Sequence, residues 1–193
     1  VVRTNRGTRP NLVGVSTGKS WPPVEVEPAT RRPKAPAPGQ LLGEHYRDCF
    51  GCGSGTPGGL HLRTTAGEGA TVRAEFKVSE AHQGAPGLAH GGVLTAAFDE
   101  TLGAVCGLVS YPAVTGKLET DFLHPVPVGS VLFIDARVDG TAGRKLYTSA
   151  LGRLDAPDGR LALRARALFI RVGIEHFRKH GTPPEQWGSE VNP

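Results

Sequence analysis

A chain of 193 residues, 38% of them apolar, is long enough for one domain of ordinary size with a buried core, plus a tail. Its formal net charge of +4 is a mild excess spread along the chain, and aromatic residues are few. The charge suits an anionic small molecule as readily as nucleic acid, but strand aromatics that would stack on RNA are few, so no nucleic-acid partner is expected. No apolar run approaches the roughly 20 residues that span a bilayer, so no membrane partner is expected. The first twenty residues hold no signal-peptide core. The three cysteines are an odd number, and Cys106 falls inside an apolar helical run, which suits a reducing compartment. The expectation is a cytoplasmic protein.

Residues 1–40 are rich in Pro, Gly, Arg and Lys ("WPPVEVEPATRRPKAPAPGQ") and carry neither period, so they read as a flexible arm or linker, or one draped over a neighbouring subunit. The domain is expected over 41–180 and a tail over 181–193. "LLGEHYRDCF" suggests a short helix. "GLHLRTTA" and "ATVRAEFKV" read as two strands around the turn at Gly67-Glu68-Gly69. In the second, Val72, Ala74, Phe76 and Val78 share one face, and Arg73, Glu75 and Lys77 the other. A Gly/Pro-rich loop then runs into His90-Gly91-Gly92 and a long apolar helix, Gly91 to Val109. "AVTGKLETDFLH" sets Leu118, Thr120 and Phe122 against Lys117, Glu119 and Asp121. Three more strands follow ("VLFIDARVDG", "KLYTSALGRLD", "RLALRARALFIRV"), then a short helix in "GIEHFRKH" and a Pro-stopped tail.

One helix apolar almost all round must be enclosed. A strongly curved antiparallel sheet wrapped around one long central helix does this most simply, an α+β arrangement known as the hotdog fold. Within the apolar run stands one acid pair, Asp99-Glu100. A buried carboxylate costs several kcal/mol unless partnered. Thr95, Asp99 and Gly103 share one line of the helix, so Thr95 or a basic strand residue could serve Asp99. Glu100 points about 100° away, toward a salt bridge or a subunit seam. Gly91 and Gly92 open the helix, where N–H groups lack intrahelical acceptors and suit an oxyanion. Asp99 lies eight residues on, roughly 12 Å along the axis. One helix cannot bring its own acid to its own oxyanion donors, whereas two antiparallel copies can. A catalytic site here therefore requires a dimer.

"HQGAPGLAHGGVLTAAFDETLG" resembles the hotdog acyl-CoA thioesterases of the PaaI type, notably those with a Gly-x-Pro-Gly-x-x-His-Gly-Gly loop and an Asp nine residues after that His. The likeness runs from about Tyr46 to Glu175 and includes "CFGCG", "AVTGKLETDFLHPVPVGS" and "GRKLYTSA". It implies hydrolysis of an acyl-CoA thioester by a homodimer or a dimer of dimers, with coenzyme A as part of the substrate and no separate cofactor. Carried onto this chain, Gly91, with Gly92, would polarise the thioester carbonyl. Asp99 would activate water or attack directly, the hydroxyl of Thr115 would help hold the water, and His90 would fix the loop. Where many relatives carry an Asn six residues before that His, this chain has Gly84, leaving Gln83 or His82 as substitutes that orient the substrate.

Arg144 and Lys145, after a turn, are candidates for the coenzyme A phosphates, with Arg164 and Arg166 weaker ones. His45, Cys49, Cys52 and His61 have metal-ligand character, but a second Cys pair is absent, and the segment reads as a turn feeding the first strand, so no metal is expected. Two alternatives stand beside the thioesterase: an acyl-CoA-binding protein without catalysis, and an acyl-thioester dehydratase using His82 and an acid.

Overall fold

The computed structural model describes residues 20–110 and 112–181. Strand β1 (Arg63–Ala66) pairs antiparallel with β2 (Thr71–Lys77), where the period of two is fully realised: Val72, Ala74 and Phe76 are buried and Arg73, Glu75 and Lys77 exposed. A small hairpin of β3 (Gln83–Ala85) and β4 (Leu88–Ala89) lies inside the stretch expected to be loop; at two or three residues per strand it is too short to show a period. Helix α1 (Gly91–Gly107) follows, then β5 (Ala113–Phe122), β6 (Val131–Ala142), β7 (Lys145–Leu154), β8 (Leu161–Arg171) and α2 (Ile174–His180). Six strands form one antiparallel sheet in the order β1-β2-β6-β7-β8-β5, leaving β1 and β5 at its edges.

The sheet wraps α1, which touches all six of its strands. Phe98, Leu102 and Val105 are fully buried against Phe76, Leu132, Ile134, Leu146 and Leu163. Close approach needs a small residue opposite the largest side chain, and Gly152 supplies it: a Cβ there would lie 2.7 Å from the Phe98 ring. This is the hotdog arrangement expected of the sequence.

Three expectations meet a different outcome. Residues 41–50 form no helix: Leu41 bridges Thr65 and the Leu42 N–H donates to the Thr64 carbonyl, so the chain extends the sheet edge before turning. Phe122 is 53% exposed rather than on an inner face, because β5 is an edge strand and the ring reaches past the core to lie against Gly91. From Ser20 onward, the expected arm packs on its own domain. Trp21 donates to Asp139 and stands edge-on to Tyr147, and Glu27 bridges Thr141. Arg32 donates through its backbone N–H to the Leu108 carbonyl and through Nε to the Gly107 carbonyl. A helix end leaves such carbonyls without intrahelical partners and carries negative dipole charge, so a cation there satisfies both. The rest of the arm, 1–19, and the tail from 182 lie outside the described residues.

Candidate active site

The helix N-terminus is built by the chain just before it. A 3-10 turn, Glu80–His82, leads into the β3–β4 hairpin, whose turn is closed by the Gly87 N–H donating to Gln83 Oε1 at 2.6 Å. The His90 N–H donates to the His82 carbonyl at 2.8 Å, fixing the residue before the helix. His90 is the N-cap, and its Nδ1 accepts from the Gly92 N–H at 2.9 Å. This cap separates the two glycines: the Gly92 amide is taken by His90, whereas Gly91, at the first helical position, keeps an N–H that no intrahelical carbonyl can reach. The Phe122 ring covers Gly91 from one side.

Gly84 follows from the same packing. A Cβ there would lie 2.7 Å from the His90 Cα, so an Asn could not stand at this position without moving the loop. Both suggested substitutes have one polar atom committed within the loop. Gln83 holds the hairpin, and His82 is buried against Phe76 with Nδ1 accepting from the Ser79 N–H at 3.0 Å. Burial, with the charge of nearby His61, lowers the His82 pKa, which favours the neutral ring. His82 lines a groove of about 450 Å³ with His61, Arg63, Glu75 and Lys77; neither Gly91 nor Asp99 belongs to its lining.

Asp99 stands half-buried in the middle of α1, and its Oδ1 accepts from the Thr115 hydroxyl at 2.8 Å. Thr95 is not the partner. Thr115 sits on β5 where the pairing with β8 slips at Gly116, a bulge on an edge strand. Bulges re-aim side chains in this way. Burial raises the Asp99 pKa and the neighbouring Glu100 charge adds to it, while the Thr115 hydrogen bond opposes them. The outcome is a carboxylate with more affinity for a proton than an exposed one, as a general base requires. Asp99 and Gly91 remain eight residues apart on one helix, roughly 12 Å.

The register Thr115↔Phe169↔Leu146 puts the Gly143–Lys145 turn at the end of the sheet that holds Thr115. Arg144 and Lys145 are exposed there. Arg164 and Arg166 have other employment: Arg164 donates to Asp121 across the β5–β8 pair, and Arg166 lies over the Trp21 ring at 5.9 Å. Cys106 is buried, and burial pushes its thiol up, so it is an unreactive core residue. Of the four expected metal-type residues, His45, Cys49 and Cys52 come together, but His61 turns aside, its Nδ1–H donating to the Gly53 carbonyl at 2.9 Å. Glu100 takes its place, a partner that sequence reasoning missed because some fifty residues separate it from the Cys pair.

Residues 86–155 match the family model described as the thioesterase superfamily. Acyl-coenzyme A thioesterase THEM4 of Xenopus laevis is 37% identical over 90 residues, 47% of this chain and 40% of its own length. The chain thus spans less than half the length of the curated relatives it matches. Two solved structures share the fold. A thioesterase superfamily protein superposes with a TM-score of 0.59 at 24% identity, covering 71% of this chain and 70% of that one. A Streptococcus mutans protein bound to acetyl CoA has a TM-score of 0.54 at 20% identity, covering 58% and 89%. No helix among the described residues is long and apolar enough to cross a membrane. The match to the thioesterase superfamily model is confined to residues 86–155, and the curved sheet around α1 is the hotdog fold that these solved structures share.

Proposed function

We propose that this chain hydrolyses acyl-CoA thioesters at sites shared between two copies. The observation that carries the reading is the Asp99–Thr115 pair on the free edge of the sheet, combined with an uncommitted Gly91 N–H at the far end of the same helix. The ten residues of β5 offer unpaired backbone groups along that edge, a template for a second copy. Phe122, 53% exposed, and Leu123, 38% exposed, add apolar surface beside it. Pairing β5 with its own copy sets two helices antiparallel, with each Asp99 toward the other's Gly91.

In such a site the thioester carbonyl accepts the Gly91 N–H of one subunit. The Asp99 carboxylate of the other takes a proton from a water that Thr115 helps to hold. The water oxygen bonds to the carbonyl carbon, charge gathers on the carbonyl oxygen at the positive helix end, and the C–S bond breaks as the oxygen recovers its double bond. The coenzyme A thiolate leaves with the C–S electron pair, and the proton Asp99 had taken returns to it. The alternative order, in which the carboxylate attacks and water cleaves the resulting anhydride, uses the same groups. His90 acts through Gly92 by holding the first turn, and Arg144 and Lys145, exposed at the end of the sheet that holds Thr115, would meet phosphate charge. Coenzyme A enters as part of the substrate and leaves as a product, so this chemistry calls on no further cofactor.

The test is thiol release from short, medium, long and aryl acyl-CoAs by wild type and Asp99→Asn. Turnover by wild type that the variant loses, with acyl-CoA binding retained, supports the reading and names the acyl class. Binding without turnover across the panel would overturn it in favour of a carrier. Retained turnover in the variant would remove Asp99 from the mechanism.

A further inference from the structure

On the face of α1 turned about 100° from Asp99, four side chains that the proposed hydrolysis does not use converge. The ligand atoms of His45, Cys49, Cys52 and Glu100 all lie within 4.8 Å of one another. His45 Nδ1 stands 3.0 Å from Cys52 Sγ and 3.6 Å from Glu100 Oε1, and Cys49 Sγ is 3.5 Å from Glu100 Oε2. Around tetrahedral zinc, with bonds of about 2.0–2.3 Å, ligand atoms stand roughly 3.3–3.8 Å apart. The two Glu100 separations fall within or near that range, the His45–Cys52 distance lies about 0.3 Å below it, and the outer separations, up to 4.8 Å, would close by small side-chain rotations.

The surrounding chain is shaped for the cluster. The Gly51 N–H donates to Cys49 Sγ at 3.3 Å, a bond that stabilises negative charge on sulfur. A Cβ at Gly51 would lie 2.3 Å from Glu100 Oε2, so a side chain there would displace Glu100 from the cluster. At Gly53 a Cβ would strike the Arg47 carbonyl at 2.2 Å, so the tight return of the loop around the Cys pair depends on that residue as well. The Gly53 N–H donates to the Cys49 carbonyl, and the His61 ring, which shares that metal-ligand character, instead holds the Gly53 carbonyl. Glu100 is 17% exposed and His45 44%, so the cluster sits at the margin of the domain with an entry path for an ion.

We infer that His45, Cys49, Cys52 and Glu100 bind one divalent zinc ion, which ties the loop preceding β1 to the middle of α1. Two thiolates, one imidazole and one carboxylate form a mixed sulfur, nitrogen and oxygen set suited to zinc and poorly suited to magnesium or calcium. All four positions are filled by protein, which makes the site structural rather than catalytic. Binding releases the thiol protons to solvent and stabilises the folded chain. The inference is independent of the thioesterase reading, since none of its signals requires turnover.

The experiment is a Co²⁺ titration of the full chain, stripped of metal by chelator under reducing conditions. One equivalent is expected to bind, with thiolate-to-cobalt charge-transfer absorption and the visible bands of a tetrahedral ion, and Zn²⁺ should then bleach both. Cys52→Ser should weaken the charge-transfer band, while Cys106→Ser leaves it unchanged. The melting temperature should fall on stripping and return with one equivalent of Zn²⁺. No thiolate band in wild type, a band indifferent to both Cys49→Ser and Cys52→Ser, or a Cys49–Cys52 disulfide after reduction would overturn the assignment. The wild-type titration decides the matter even if a variant fails to fold.

Discussion

Asp99 and Glu100 are adjacent in the chain and end in unlike places. Asp99 faces the free edge strand, where one hydroxyl from Thr115 holds it and burial raises its pKa. Glu100 faces the loop before β1, where an imidazole and two thiols gather about it. The helix supplies both acids at the same depth in the fold, and what differs is the segment that meets each one. A carboxylate with one neutral partner keeps a strong affinity for a proton and can exchange it. A carboxylate among three potential ligands is suited to hold a cation.

The comparison is broken most severely at Asp99. Asp99→Asn should lower thiol release by a factor on the order of 10²–10⁴, the usual scale for a positioned base, whereas Glu100→Gln should cost a few-fold at most and show its effect in melting temperature and Co²⁺ binding. Equal losses of turnover in the two variants would erase the distinction. At the other end of the helix, Gly91→Pro replaces the N–H with the ring's Cδ and adds a Cβ in ordinary contact with the Phe122 ring. Proline is well tolerated at the first helical position, and His90 already has the extended backbone, φ −69° and ψ 132°, that a following proline demands. Turnover should fall by about 10²–10³, the scale of a lost oxyanion donor, with the circular dichroism spectrum and melting curve retained.

Thr115→Val sharpens the account of the carboxylate. Its hydrogen bond is the one influence holding the Asp99 pKa down against burial and Glu100, so its loss should raise that pKa further. Activity requires the ionised form and falls as pH drops through the folded value. The acid limb of the kcat/KM profile should therefore move to higher pH in the variant, with about a tenfold loss on the plateau for one hydrogen bond. A pH profile unmoved by the change would separate Thr115 from Asp99. Stability has the opposite sign: an acid whose pKa is raised by folding costs stability once pH exceeds its unfolded value. Asp99→Asn should accordingly compare better with wild type in thermal melts at pH 7 than at pH 4.

Most of this architecture was legible because it is periodic. The alternation at Val72, Ala74 and Phe76 states which side of β2 is inward, and the apolar circumference of α1 states that the helix is enclosed. Thr115 was singled out only through the family resemblance, as a hydroxyl to hold water, and its bond to Asp99 was not foreseen, since a strand threonine carries no signal of its own. Three features had no local signal at all. Gly92 is withdrawn by a cap whose geometry depends on the His90 ring, Glu100 meets a loop some fifty residues away, and Arg32 leaves the Pro-rich arm to cap a helix end. The last is the smallest expected effect: Arg32→Ala should cost about 1 kcal/mol, on the scale of a typical hydrogen bond, and lower the melting temperature by a few degrees without changing kcat.

The composite site is tested most directly by a mixed dimer of Asp99→Asn and Gly91→Pro chains, purified through two different tags. If Gly91 of one subunit works with Asp99 of the other, this dimer holds one wholly intact site and one doubly damaged site. Thiol release should then return to a substantial fraction of wild type, although each variant alone is nearly inactive. A mixed dimer as inactive as its two parents would contradict the account, because it would mean that Gly91 and Asp99 serve within a single chain or do not act together.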